Sequence, residues 1–193
     1  MGSGLSEAAT RTAEKSGTPG ISPSLEQSGG KFLTFFLAGE EYGIEILKVR
    51  EIIGMMPITS VPRTPSFVRG VINLRGKVIP VIDLRLKFSM EAQEQTEETC
   101  TIVVQAQGIQ MGIIVDRVSE VVNIAGEEIE ETPSFGGEIN TGYLLGIGKS
   151  RGKVKLLLDI DKVLSTQEVV GISLAGSEGQ NQVDNGQSEV SHV

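Results

Sequence analysis

The chain has 193 residues, a formal net charge of −8, one cysteine and one histidine. That length supports one medium domain or two small ones without disulfides or metals. The acidic balance argues against a general nucleic-acid binder. No run approaches the ~18 apolar residues of a membrane span, and a single cysteine allows no internal disulfide.

Residues 1–30 are rich in Ser, Gly, Thr and Glu without apolar periodicity, and are expected to form a disordered tail. The start lacks the basic and apolar stretches of a signal peptide. Its match to the Met-Gly-x-x-x-Ser acylation pattern is short and is read as coincidence. Lys31–Ala38 reads as a strand, and Tyr42–Ile46 returns as its hairpin partner after Gly39-Glu-Glu41. Leu47–Ile53 fits either a helical turn or a strand. Pro57, Pro62 and Pro65 make the next stretch an irregular connection. Val68–Leu74 and Val78–Ile82 form a second hairpin about Arg75-Gly-Lys77, with Pro80 expected at an edge or bulge. Asp83 can cap a short helix, Leu84–Phe88. The acidic stretch Met90–Glu98 separates two halves.

The second half repeats the first. At an offset of 69, Gly43, Ile44, Val49 and Glu51 recur as Gly112, Ile113, Val118 and Glu120. At an offset of 76, Arg75-Gly-Lys-Val78 recurs as Arg151-Gly-Lys-Val154, and each copy runs on through a strand to Asp83 or Asp159. Asp159 or Asp161 can cap Ile160–Leu164 as Asp83 does its helix. Two ordered matches mark tandem units, and many short strands with Gly-marked turns indicate small β-barrels. The expected architecture is mainly β: two tandem five-stranded barrels packed together, with short helices and disordered tails. The domain is placed at 31–168, divided near 98 into a first barrel (31–98) and a second (99–168), with a polar tail at 169–193.

Catalytic equipment is missing from this pattern. The only histidine, His192, falls in the C-terminal tail, so the folded part lacks the commonest general base and zinc ligand. Cys100 lies in an apolar strand and reads as a small buried hydrophobe. Gly148-Lys-Ser150 lacks the earlier glycine of a phosphate loop, since position 143 is tyrosine, and a strand follows it instead of a helix. Asp159-Ile-Asp161 is too short for a calcium loop. No cofactor or metal is expected, and no enzymatic activity. Charge is uneven, however: Tyr42–Phe88 carries eight basic residues against three acids, a net +5, leaving −13 elsewhere. Such a segment is either a solvated face or a surface that steers an acidic partner.

Three stretches carry a family resemblance: Glu40–Ile53, Thr64–Gly76 and Val78–Ser89, joined by Met111–Val121 in the second copy. In this order they resemble the CheW family, the coupling proteins of bacterial chemotaxis. The resemblance covers about Phe32 to Leu164. It implies two Src-homology-3-like barrels and a non-enzymatic adaptor joining chemoreceptor cytoplasmic tips to the regulatory domain of the histidine kinase CheA. It places the protein in the cytoplasm, recruited to membrane-associated receptor arrays without inserting in the membrane. Carried over by position, the receptor groove involves Val49, Glu51, Gly70, Asn73, Leu74 and Arg75. The kinase-facing surface is assigned to Met111, Gly112 and Ile113, as an apolar strand that could present an edge. The competing reading is a small barrel binding single-stranded nucleic acid or a small ligand, which needs exposed aromatics in a basic groove.

Overall fold

A computed structural model describes residues 29–132, 142–165, 167, 168 and 171. Of the tails expected at 1–30 and 169–193, residues 1–28, 169, 170 and 172–193, with His192, lie outside the described residues, and Gly30 already belongs to a strand. Among the described residues there are eleven strands, eight of them paired as four hairpins: β1 (Gly30–Leu37), β2 (Glu40–Glu45), β3 (Val49–Gly54), β4 (Val68–Leu74), β5 (Lys77–Asp83), β6 (Cys100–Ala106), β7 (Ile109–Val115), β8 (Arg117–Ile124), β9 (Ile129–Glu130), β10 (Leu144–Ser150) and β11 (Lys153–Leu158). Two one-turn helices, α1 (Leu84–Lys87) and α2 (Ile160–Val163), follow β5 and β11. The ambiguous stretch after β2 is both of its alternatives in turn, a 3₁₀ turn at Ile46–Lys48 and then β3.

Four hairpins turn on two residues: Ala38-Gly39, Arg75-Gly76, Gln107-Gly108 and Arg151-Gly152. Both residues of each pair have positive φ. This is the turn whose twist matches that of the flanking strands. Asp83 accepts the N–H groups of Arg85 and Leu86 and so caps α1. Asp159 caps α2 through the N–H of Asp161. Pro80 lies inside β5, an interior strand, not at an edge; the parallel ladder to β7 begins one residue later, at Val81.

The strands make a six-stranded sheet, β8-β1-β2-β11-β10-β9, and a five-stranded sheet, β3-β6-β7-β5-β4. The tandem division at residue 98 is therefore not the division of the sheets. Hairpin β1–β2 completes the sheet of the second half, and hairpin β6–β7 completes that of the first. The placements are equivalent: Gly43 of β2 faces Leu157 of β11, and Gly112 of β7 faces Val81 of β5. At the offsets of 69 and 76 these pairs correspond, so the repeat is real but its hairpins are exchanged. The physical reason is burial. Both faces of these hairpins are apolar, and only a position between two barrels covers both.

Three cores result. Phe32, Val122, Ile124, Ile129, Leu145 and Leu157 fill the six-stranded barrel. Ile72, Ile79, Val81, Val103 and Ile114 fill the five-stranded one. The largest cluster, 18 buried residues from Leu33 to Leu164, lies between them. A stack of rings runs from its buried Phe35 and Tyr42 out to the half-buried Phe88 and Tyr143. Cys100 is half-buried and burial pushes its thiol up, consistent with an inert side chain. Among the described residues no helix is long and apolar enough to cross a membrane.

Candidate partner-binding site

The six residues assigned to the receptor groove lie on β3 and on the β4–β5 hairpin of the five-stranded barrel, and Glu51, Asn73 and Arg75 meet at the hairpin tip. β3 is an edge strand of its sheet. Glu51 on β3 meets the turn residue Arg75 in a bidentate pair, Nη1 to Oε1 at 3.0 Å and Nη2 to Oε2 at 2.6 Å. Two planar groups matched in this way fix each other's orientation. Arg75 remains 74% exposed, and the Glu51 hydrogen bond pushes its pKa up, so it stays a cation. Asn73 accepts the Gly76 N–H at 2.8 Å and closes the turn.

The other three serve packing. Val49 rests against the core between the barrels, and Leu74 against the five-stranded barrel's interior. Gly70 is buried at a bulge in β4 with φ +137°. A Cβ there would lie 2.1 Å from the Thr59 carbonyl oxygen. The close approach that this glycine permits is made by the chain's own backbone, through the Thr59–Val71 bridge, and not by a partner helix.

The kinase-facing assignment needs correction. β7 lies between β6 and β5, with ladders on both sides. Met111 and Ile113 are buried in the core between the barrels. Gly112 leaves no room for a side chain, since a Cβ would sit 2.6 Å from Thr101 Cγ2. An apolar run reads the same at an edge or at a centre, and here it is central. These residues present no surface.

Equivalent to the Arg75 end is an end on the six-stranded barrel, where Arg151 Nη1 donates to Glu120 Oε2 at 2.8 Å. Around both ends are apolar residues that sequence reasoning did not single out: Ile52 (47% exposed), Val121 (52%) and Val154 (58%). Ile52 and Val121 correspond at the offset of 69. A signal was present in the repeat, since both copies place a branched aliphatic next to the repeated Glu on an edge strand.

The basic excess of Tyr42–Phe88 is largely consumed internally. Lys48 pairs with Asp161, Arg85 with Asp116, and Lys87 with Glu168, each acid lying in the other half of the chain. Burial pushes Asp161 up, but hydrogen bonds from Lys48 and the Gln107 N–H outweigh it and leave the carboxyl below its ordinary value. Glu168 is likewise pushed up by burial and brought lower by Lys87 and Ser165. The nucleic-acid reading finds no exposed ring for stacking: among the described residues every Phe and Tyr is buried or half-buried.

Both the sequence and the fold of this chain have relatives among known proteins. The family described as CheW-like domain matches residues 31–168. The chain belongs to the CheW family. A chemotaxis protein CheW of Klebsiella aerogenes is 43% identical over 144 residues, covering 75% of this chain and 87% of that protein. One from Helicobacter pylori is 37% identical over 134 residues, 69% of this chain and 81% of its own length. The crystal structure of the scaffolding protein TtCheW from Thermoanaerobacter tengcongensis superposes with a TM-score of 0.66 at 36% identity, covering 72% of this chain and 94% of that one. The double-barrel, mainly β fold is thus that of a CheW protein, and the family is one of chemotaxis scaffolds, not enzymes.

Proposed function

We propose that this chain couples the cytoplasmic tip of a chemoreceptor to the regulatory domain of the histidine kinase CheA, in the cytoplasm at membrane-associated arrays. The observation that carries the reading is the Arg75–Glu51 clasp on the open edge of β3. Glu51 holds the guanidinium at a set angle, and two of its five N–H donors are used there. The remaining donors suit a helical hairpin that offers carboxylates, and Ile52, on the outward face of β3, suits apolar side chains beside them. Glu51 is thus a positioning residue, and Arg75 the contact. The kinase domain takes the other end, where Val121 and Val154 flank Arg151–Glu120.

Purified protein is tested for binding to a receptor-tip helical hairpin, to a CheA regulatory domain and to a single-stranded oligonucleotide. Arg75→Ala is expected to weaken receptor binding by about tenfold or more while kinase binding persists. Val154→Glu is expected to do the reverse, and the oligonucleotide should not bind. Equal receptor loss from Arg75→Ala and Arg151→Ala would sink the assignment of the groove.

A further inference from the structure

Neither half of the chain makes a complete sheet. Each half donates one hairpin and accepts one: β1–β2 closes on β8 and β11, and β6–β7 closes on β3 and β5. The donated and accepting surfaces of one half belong to different sheets, so a half on its own leaves both open. The 18-residue core draws on both halves. Polar ties cross the same seam: the Ala38 N–H to Asp116, Lys48 to Asp161, Arg85 to Asp116 and the buried pair Glu41–Lys155. Against this, one stretch of backbone joins the halves. Glu91–Glu98 is exposed at every residue and contains no strand or helix. It is held by Arg85, which donates to the Glu91 carbonyl and the Gln93 side chain.

We propose that a second copy of this chain can supply either half in trans. Two chains open at residues 91–98, and each first half closes on the other chain's second half, giving a reciprocal dimer. Both seams are rebuilt with every strand pairing and ion pair of the monomer. Monomer and dimer then differ in the path of the linker and in the entropy of association, the condition under which identical elements exchange between protomers. A short flexible tether holds the chain's own half at an effective concentration on the order of mM. The monomer therefore prevails in dilute solution, and exchange appears when chains are concentrated or refold together. An adaptor joined in this way carries two copies of each docking end on one particle.

The test uses full-length chains, isotopically heavy and ordinary, with Gln93-Glu94-Gln95 replaced by a protease recognition sequence. They are mixed, unfolded and refolded at total concentrations far below and close to the mM range of the tether, and the dimer fraction is isolated and cut. The expected result is a dimer only at the higher concentration. Cutting then converts it to monomer-sized two-fragment complexes that include heavy–light hybrids in native mass spectrometry. Three results overturn the proposal. They are absence of a dimer at the higher concentration, a dimer that survives cutting without hybrids, and fragments that separate or unfold once the linker is cut. The last would show that the seam does not hold without its covalent link.

Discussion

The Arg75 and Arg151 ends share a turn, a bulge in the first hairpin strand and an Arg–Glu pair, yet their surroundings differ. Asn73 closes its turn, whereas the equivalent Lys149 reaches out to Glu130. Leu74 and half-buried Val78 correspond to Ser150 and exposed Val154. What is repeated is the device that ties an edge strand to a hairpin tip. Partners that tell the ends apart must read, beside that shared device, the positions that differ: Asn73 against Lys149, Leu74 against Ser150, and half-buried Val78 against exposed Val154. The interiors differ as well. Glu41 and Lys155 form a pair only 7% and 3% exposed in the six-stranded barrel. The equivalent positions in the other barrel, at the same offsets, are Gln110 and Ile79.

The interior difference offers the largest expected effect. Lys155→Ala strands the Glu41 carboxylate in the barrel and should cost about 3–5 kcal/mol in urea unfolding. The double change Glu41→Gln/Lys155→Ile imports the other barrel's pair, and should be within about 1 kcal/mol of the starting protein or more stable. A double variant as weak as the single would mean that the two interiors are not interchangeable.

Gly70→Ala comes next, at about 3 kcal/mol, because a left-handed backbone angle and the Thr59 carbonyl both oppose a side chain. Loss of receptor binding without loss of stability would return Gly70 to the docking surface.

The pH dependence is smaller and has a definite sign. Burial pushes Glu41 up, but hydrogen bonds from Lys155, Thr34 and Ser119 and the Lys155 charge bring it below its ordinary value. Asp161 and Glu168 are lowered too. Carboxyls lowered by folding add stability that is fully present above their ordinary values and is lost as pH falls through the lowered ones. Urea midpoints should therefore fall on acidification below the ordinary carboxylate range, and less steeply in the Glu41→Gln/Lys155→Ile variant. Parallel profiles would show that the pair is not a source of the acid sensitivity.

The smallest stability changes are expected at the tips. Arg75→Ala and Arg151→Ala remove exposed pairs, and should shift the melting temperature little and by similar amounts. A drop confined to Arg75→Ala would mark that pair as a fold element and break the equivalence of the two ends.

Local features were legible because their causes are local. The turn dipeptides, the alternating apolar residues of the hairpins and the Asp83 cap each need only a few neighbouring residues. The candidate site was legible in part: Glu51 and Arg75 were named together, but their bond joins residues 24 apart in sequence. The exposure of Ile52, and the burial of Met111 and Ile113, depend on which strands lie alongside, and apolar content alone does not reveal that.

By itself the sequence determined the repeat, the hairpins and their turns, and through three stretches of resemblance the family. Only the tertiary structure decided that each hairpin pairs with the other half. The parallel ladders β2–β11 and β5–β7 bring together strands distant in sequence, and no turn chemistry specifies them. They form because a hairpin apolar on both faces is fully covered only between two barrels. The same folding carries Asp116, Asp161 and Glu168 onto Arg85, Lys48 and Lys87. Three of the eight basic residues of Tyr42–Phe88 are thereby paired with acids of the other half, while Arg75 stays exposed in the grip of Glu51.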